Sequence, residues 1–307
     1  MEKIKNNTSR GQNALWFIIF LLPSLFAFFI VIIIPFFMGI YFSFTNWNAI
    51  TGTAVEWVGL KNYIAVILDI TFIYSFLITT LYTVMSIISL NICAFLLALL
   101  VTSKVKFVNI YRAGFFLPNL IGGIILGYIW QFIFNNAIPS LGGLIGFTWL
   151  KENLFLAHKY SALLAIVIVG TWQYGGYIMM IYVAAIQGIP ASLTESAKID
   201  GANYRQRVRH ILFPMVAPAF TVSSFLTLIN SFKQFDVNFS LNQGGPSGVF
   251  MDRALMTNQF LALNIYQTAF SFRQLAQGQA KAIIFFILIT IFSLIQVHYN
   301  KRKEIEM

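Results

Sequence analysis

The sequence predicts an all-α integral membrane protein with six transmembrane helices, and three observations carry that reading. First, 58% of the 307 residues are hydrophobic and only 10% are charged, whereas a soluble domain carries about 25% charged residues. Second, six uncharged stretches are each long enough to cross the bilayer, whose hydrocarbon layer of about 30 Å needs about 20 helical residues. They are too long and continuous for the strands of a closed barrel, the other structure that satisfies its backbone in lipid. Third, Lys and Arg gather at the ends of these runs and stay out of their centres.

The spans are placed near 15–42, 72–101, 112–134, 161–186, 211–233 and 281–299. The first run, from Ala14 on, is too long for a signal-peptide core and lacks a small-residue cleavage site, so it is expected to be a retained span. Residues 1–71 then form an N-terminal tail, the first span and an external loop. Residues 72–300 hold the other five spans, and 301–307 form a tail. Placing the N-terminus inside puts Lys3, Lys5, Arg10, Lys104, Lys106, Arg112, Lys198, Arg205, Arg207, Arg209, Lys301, Arg302 and Lys303 on the inner side. Lys61, Lys151, Lys159, Lys233, Arg253, Arg273 and Lys281 fall outside, four of them in or at the ends of the longest connection. The positive-inside rule therefore predicts both termini to be cytoplasmic. The external connections 45–71, 135–160 and 235–280 are too short for a separate soluble domain. They carry interfacial aromatics (Trp47, Trp57) and a turn signal at Asn242-Gln243-Gly244-Gly245-Pro246.

Several functions are disfavoured. The net charge of +10 would suggest nucleic acid in a soluble chain, but here the basic residues orient a membrane protein. No Gly-x-x-x-x-Gly-Lys-Ser/Thr run cradles a nucleotide phosphate. His158, His210 and His298 are scattered at span ends without metal-ligand spacing, and no nucleophile–base arrangement is legible. Cys93, the single cysteine, lies within an apolar run and reads as a small buried side chain. The span centres hold no Asp, Glu, Lys or Arg, which proton- or ion-coupled transport ordinarily requires. An ion-coupled secondary transporter is the rival reading from a different class, and a membrane-embedded enzyme would need a reactive polar cluster that is not seen.

Two polar features remain. The segment 190–214 reads as a short helix, a glycine break and a second helix feeding the fifth span. Pro190 stops the preceding span, and Ser192-Leu193-Thr194-Glu195 fits a capping box at the start of a helix from about Leu193 to Asp200. Gly201 supplies a left-handed residue after it. On these grounds alone the segment is either a connector or a docking element. The second feature is a set of polar faces. In the fifth span Ser223, Thr227, Ser231 and Gln234 step by four, four and three. In the fourth, Gly170, Gln173, Tyr174 and Tyr177 share a face, and in the third Asn119 is followed by Gly122 and Gly123. Such residues either bond helix to helix or line a lumen for a neutral, hydroxylated ligand.

The identities in the polar segment narrow this. Glu195-Ser196-Ala197-Lys198-Ile199-Asp200-Gly201-Ala202, followed by Ile211-Leu212-Phe213-Pro214, resembles the EAA loop of binding-protein-dependent ABC importer permeases. The likeness is to the branch of the maltose, glycerol-3-phosphate and multiple-sugar permeases, with Ser196 in place of the usual Ala and Phe213 in place of Leu. Phe116-Leu117-Pro118, Gly170-Thr171-Trp172, Gln187-Gly188-Ile189-Pro190 and Gly244-Gly245-Pro246 extend it over most of the chain.

The resemblance implies a type I importer permease fold whose first span is an addition that packs against a partner. Glu195, Ser196, Ala197, Asp200 and Gly201 would belong to a cytoplasmic coupling helix seated in a separate ATPase. The chain itself would bind no cofactor, and the ATPase would use ATP and Mg. The partners would be a second, homologous permease, two copies of the ATPase, an extracytoplasmic sugar-binding protein and membrane lipid, with no nucleic acid. The setting would be a prokaryotic cell membrane. A sugar would be lined by Asn119, Gly123, Gly170, Gln173, Tyr174, Tyr177, Thr227, Ser231 and Gln234. Glycerol-3-phosphate is the alternative cargo, disfavoured because the polar faces carry no Lys or Arg.

Overall fold

The computed structural model describes residues 2–48, 54–103, 106–152 and 154–301. Lys104, Arg302 and Lys303 of the inner basic set, and most of the 301–307 tail, lie outside the described residues. Among the described residues five helices are long and apolar enough to cross a membrane: Leu15–Ser43, Ile70–Thr102, Gly123–Leu144, Lys159–Gln187 and Leu275–Asn300. The pair Tyr204–Met215 and Ala217–Phe232, bent by 63°, makes a sixth crossing if it is one span. These are called the first to sixth spans in chain order, the bent pair being the fifth.

The third span differs most from expectation. It starts at Gly123, about a dozen residues later than the uncharged run suggests. Pro118 lacks an amide hydrogen and disfavours helix before it. The chain therefore forms a separate helix at Val108–Phe116, a tight turn at Leu117–Leu120, and only then the span. Tyr111 and Arg112 belong to that separate helix. The sixth span begins at Leu275, six residues before the predicted start, so Lys281 sits within it.

The chain divides into two compact units. One comprises Met1–Val66 with Thr268–Ile283. Its long apolar helix, Leu15–Ser43, buries none of its most apolar window. The helix ends in a knot of polar and aromatic contacts. Asn62 Nδ2 donates to the carbonyls of Ser43 and Thr45, both at 2.8 Å, and Phe44 stacks on Trp57 at 5.2 Å between ring centres. Lys281, 2% exposed, donates to Thr268 Oγ1 at 2.9 Å.

The other unit is Ile67–Gln267 with Ile284–Met307. The second and fourth spans form its centre. Near one end Tyr74, Ile78 and Tyr82 pack with Leu163 and Ile166; near the other, Leu90, Ala94 and Ala98 pack with Ile178, Met179 and Tyr182. The second span is capped by Asp69, whose Oδ1 accepts from the Thr71 amide at 2.9 Å. Gly176 lets the Val108–Phe116 helix lie against the fourth span: a Cβ there would stand 1.9 Å from the Phe115 carbonyl oxygen. Past the fifth span, the predicted turn holds Gln243, Gly244 and Gly245 at positive φ and leads into an antiparallel hairpin, β1 (Ser247–Phe250) and β2 (Arg253–Met256). Buried Asn238 and Asn258 hold this region: Asn238 Nδ2 donates to the Asn258 carbonyl (2.8 Å), and Asn258 Nδ2 to the Lys159 carbonyl (3.1 Å).

Candidate functional site

The polar segment folds as helix, glycine turn, helix. The first helix runs Ala191–Ile199, with Pro190 as its N-cap and no side-chain cap. The capping box expected at Ser192 and Glu195 does not form. Pro190 stops the fourth span so sharply that the new helix starts at Ala191, which places Ser192 inside the first turn instead of ahead of it. The capping box belongs to the second helix: Gln206 N donates to Asn203 Oδ1 (2.9 Å) and Asn203 N to Gln206 Oε1 (2.8 Å).

Gly201 takes the left-handed conformation, φ +77°. Its amide donates to the Lys198 carbonyl at 3.1 Å, and that of Ala202 to the Ala197 carbonyl at 2.8 Å. These two bonds satisfy carbonyls that the helix end would leave open. Arg207 Nη1 reaches back to the Ala202 carbonyl (2.9 Å) and fixes the second helix to the turn. No residue of Ala191–Ile199 is buried. Glu195, Ser196, Asp200 and Gly201 are exposed and Ala197 is half-buried. Ile199, at 86% exposed, projects an aliphatic side chain from the helix end.

The second helix continues to Met215, the chain bends at Val216, and Ala217–Phe232 runs on. A narrow cleft lies between this last helix and the second and fourth spans. Of the residues expected to line a site, Gly170, Tyr174, Tyr177, Thr227, Ser231 and Gln234 come together there, joined by Tyr82, Leu90, Ile178 and Asn230. Gln234 lies past the end of the helix, on the turn that follows. Gln173, Asn119 and Gly123 do not line the cleft. Gln173 Nε2 donates to the Ile121 carbonyl at 3.1 Å. Asn119 lies in the Leu117–Leu120 turn, and Gly123 gives room to Asp236, whose Cβ would be 2.6 Å from an added one.

Tyr82 stands on a span where Ser75, Thr79, Thr83 and Ser86 step by four, four and three, the spacing that marks the fifth span, so a signal for this face exists in the sequence. Its ring stacks on Phe260 at 4.5 Å, and its hydroxyl would be 3.0 Å from a Cβ added to Gly170.

The cleft has one chemically telling property. Thr227 Oγ1 and Gln234 Nε2 are buried and have no hydrogen-bond partner. Buried polar atoms are almost always satisfied, so each of these groups has capacity for a further hydrogen bond, as have Ser75 Oγ and Gln173 Oε1 away from the cleft lining. The free space is about that of one water molecule, so the cleft is closed to a sugar in this conformation. Among the described lining residues none is basic.

The family model of the binding-protein-dependent transport system inner membrane component matches residues 65–305. The chain belongs to this family. Among curated relatives, the permease is 44% identical over 296 residues to the probable starch degradation products transport system permease protein AmyD of Thermoanaerobacterium thermosulfurigenes, covering 96% of this chain and 97% of that protein. It is 28% identical to the multiple sugar-binding transport system permease protein MsmF of Streptococcus mutans, over 95% of this chain and 98% of that one. Among solved structures it resembles a bacterial ABC transporter involved in the import of the acidic polysaccharide alginate, with a TM-score of 0.74 at 18% identity over 95% of this chain and 96% of that one. At that identity the likeness is one of fold. The permease is a transport subunit, not an enzyme, and its fold is that of type I importer permeases.

Proposed function

We propose that this permease carries a neutral oligosaccharide of the starch-breakdown type across a prokaryotic cell membrane, powered by ATP hydrolysed on a separate subunit. The observation that carries the reading is continuity. An exposed helix bearing Glu195 leads through the turn at Gly201 into Tyr204–Met215, and through the bend at Val216 into the helix whose Thr227 and Ser231 line the cleft. Arg207, bonded to the Ala202 carbonyl, ties the turn to Tyr204–Met215, so movement of the first helix bears on the last through bonded backbone.

Ala191–Ile199 docks in the ATPase, with Glu195, Ser196, Ala197, Asp200 and Gly201 at the contact and Ile199 as its apolar tip. ATP and Mg belong to that partner. The full assembly comprises this chain, a homologous permease, two ATPase copies and an extracytoplasmic binding protein, with both permease termini in the cytoplasm. The kind of sugar is suggested by the name of the starch-degradation relative. A lining of hydroxyls, amides and tyrosine faces without a basic residue among those described supports a neutral cargo over glycerol-3-phosphate.

Uptake of labelled maltotetraose into vesicles bearing the assembly tests this. ATP is expected to drive accumulation, and Glu195→Lys is expected to abolish it while the chain still inserts. Accumulation driven by an ion gradient without the ATPase overturns the reading.

A further inference from the structure

Just beyond the bend at Val216, the fifth span is tied to two others by a compact polar cluster. Asn91 of the second span is 6% exposed, Tyr182 of the fourth 2%, and Ser223 of the fifth 0%. Asn91 Oδ1 accepts from the Tyr182 hydroxyl at 2.7 Å and from Ser223 Oγ at 2.5 Å. The two hydroxyls lie 3.2 Å apart. Asn91 Nδ2 donates to the Ile87 carbonyl of its own helix at 2.7 Å, which fixes the amide orientation. One carbonyl oxygen thus joins three spans, in surroundings of Leu90, Ala94, Ile178, Met179 and Ala219.

Beside this cluster is an open apolar groove of about 610 Å³ whose walls include the exposed Ile92, Leu96, Phe213 and Phe220, with Val216, Asn91 and Tyr182 also on its lining. The groove therefore flanks the bend itself. A packed interior resists displacement because few voids exceed a water molecule. Here that side of the bend faces the groove, so among the described residues no packed side chain wedges the Tyr204–Met215 arm from it. Beyond the bend, the cluster binds the outer arm to the second and fourth spans.

We infer that Asn91, Tyr182 and Ser223 form a latch that makes the outer arm of the fifth span move together with the second and fourth spans, so that displacement at the coupling helix reaches the cleft instead of being absorbed at Val216. These are positioning residues, because they lie off the cleft lining except through the helices they join. This rests on the coupling role proposed for Ala191–Ile199. It separates two jobs along one face of a helix: Ser223 bonds to its neighbours, while Thr227 and Ser231, one and two turns on, are turned to the cleft.

The assembled transporter tests the latch. In a Cys93→Ala background, Asn230→Cys carries an environment-sensitive fluorophore at the cleft, where Asn230 is exposed. ATP with vanadate is expected to change its emission. The pair Tyr182→Phe and Ser223→Ala strips Asn91 Oδ1 of both donors. ATP hydrolysis is expected to continue while the emission change falls severalfold.

Adding Asn91→Leu removes the buried unsatisfied amide and leaves only Ser224 Oγ, which met Asn91 Nδ2 at a long 3.5 Å, so assembly and thermal stability are expected to recover. The emission change is expected to stay low. Recovery of the emission change along with stability shows a merely structural cluster and overturns the latch, as does a full change in the double variant, or none in the parent. Glu195→Lys is run alongside. A normal ATP-driven change with that substitution removes the coupling-helix reading, whereas the latch is judged by its own variants against the parent.

Discussion

Thr227 separates packing from ligand binding at a single atom. Its Oγ1 is buried and bonds to nothing in the protein, and its residue is 2% exposed. Replacing it by Val keeps the shape and removes only that oxygen. A buried hydroxyl bonded inside the protein would cost about 1 kcal/mol when lost. Here no such bond exists, so Thr227→Val is expected to leave the melting temperature unchanged or higher, while the KM for transported sugar rises roughly threefold to tenfold. A fall in stability without a change in KM would make the hydroxyl a packing group.

Gly201 gives a graded pair of expectations on the same scale. Nothing lies within 4 Å of a Cβ added there, so only the backbone opposes substitution. Gly201→Ala is then expected to cost about 1–2 kcal/mol of left-handed strain and to slow uptake modestly. Gly201→Pro forces φ far from +77° and deletes the amide that bonds the Lys198 carbonyl, so uptake is expected to vanish with insertion intact. Equal uptake in both variants would show that the shape of this turn does not matter to coupling.

At the scale of elements, the joint between the fourth span and the Val108–Phe116 helix is one of backbone on backbone. A Cβ at Gly176 would overlap the Phe115 carbonyl and stand 2.8 Å from the Phe116 nitrogen, both backbone atoms. Gly176→Ala is therefore expected to cost at least about 1–3 kcal/mol, read as a lower melting temperature of the solubilised chain. An unchanged melting temperature would place the two helices farther apart.

The same joint marks what a single sequence can and cannot reveal. The long apolar runs place the second and fourth spans within two residues at each end, since composition alone sets where lipid contact stops. They misplace the third, because the uncharged run continues through Pro118 while the backbone does not, and hydropathy is blind to a change of helix direction. The capping pattern misleads for a similar reason: Ser-x-x-Glu fits, yet Pro190 sets the start at Ala191, two residues too early for Ser192 to cap it. In the fifth span the helical period correctly groups Ser223, Thr227 and Ser231 on one side. Period alone does not separate a bond to a neighbouring helix from a wall of a cleft. Only the position of Asn91 decides that for Ser223.

For the whole molecule, the number of crossings depends on the bent pair. If Tyr204–Met215 and Ala217–Phe232 cross as one span, the chain crosses six times and its termini share a side. If the pair turns back at its 63° bend, the chain crosses five times and the termini are opposed. The charge distribution favours the first: Lys198, Arg205, Arg207 and Arg209 precede the bend in a short connection, where basic residues bind topology most strongly to the inner face. Ser192 and Met251 bracket the pair, and both are exposed. With Cys93, the only native thiol, replaced by Ala, single cysteines at these two positions report their own sides. A membrane-impermeant maleimide is expected to label Met251→Cys in intact spheroplasts and Ser192→Cys only after lysis. Labelling of both from one side would make the pair re-entrant, move the polar cleft to one face of the membrane, and take away the path by which a push at Glu195 opens a route through it.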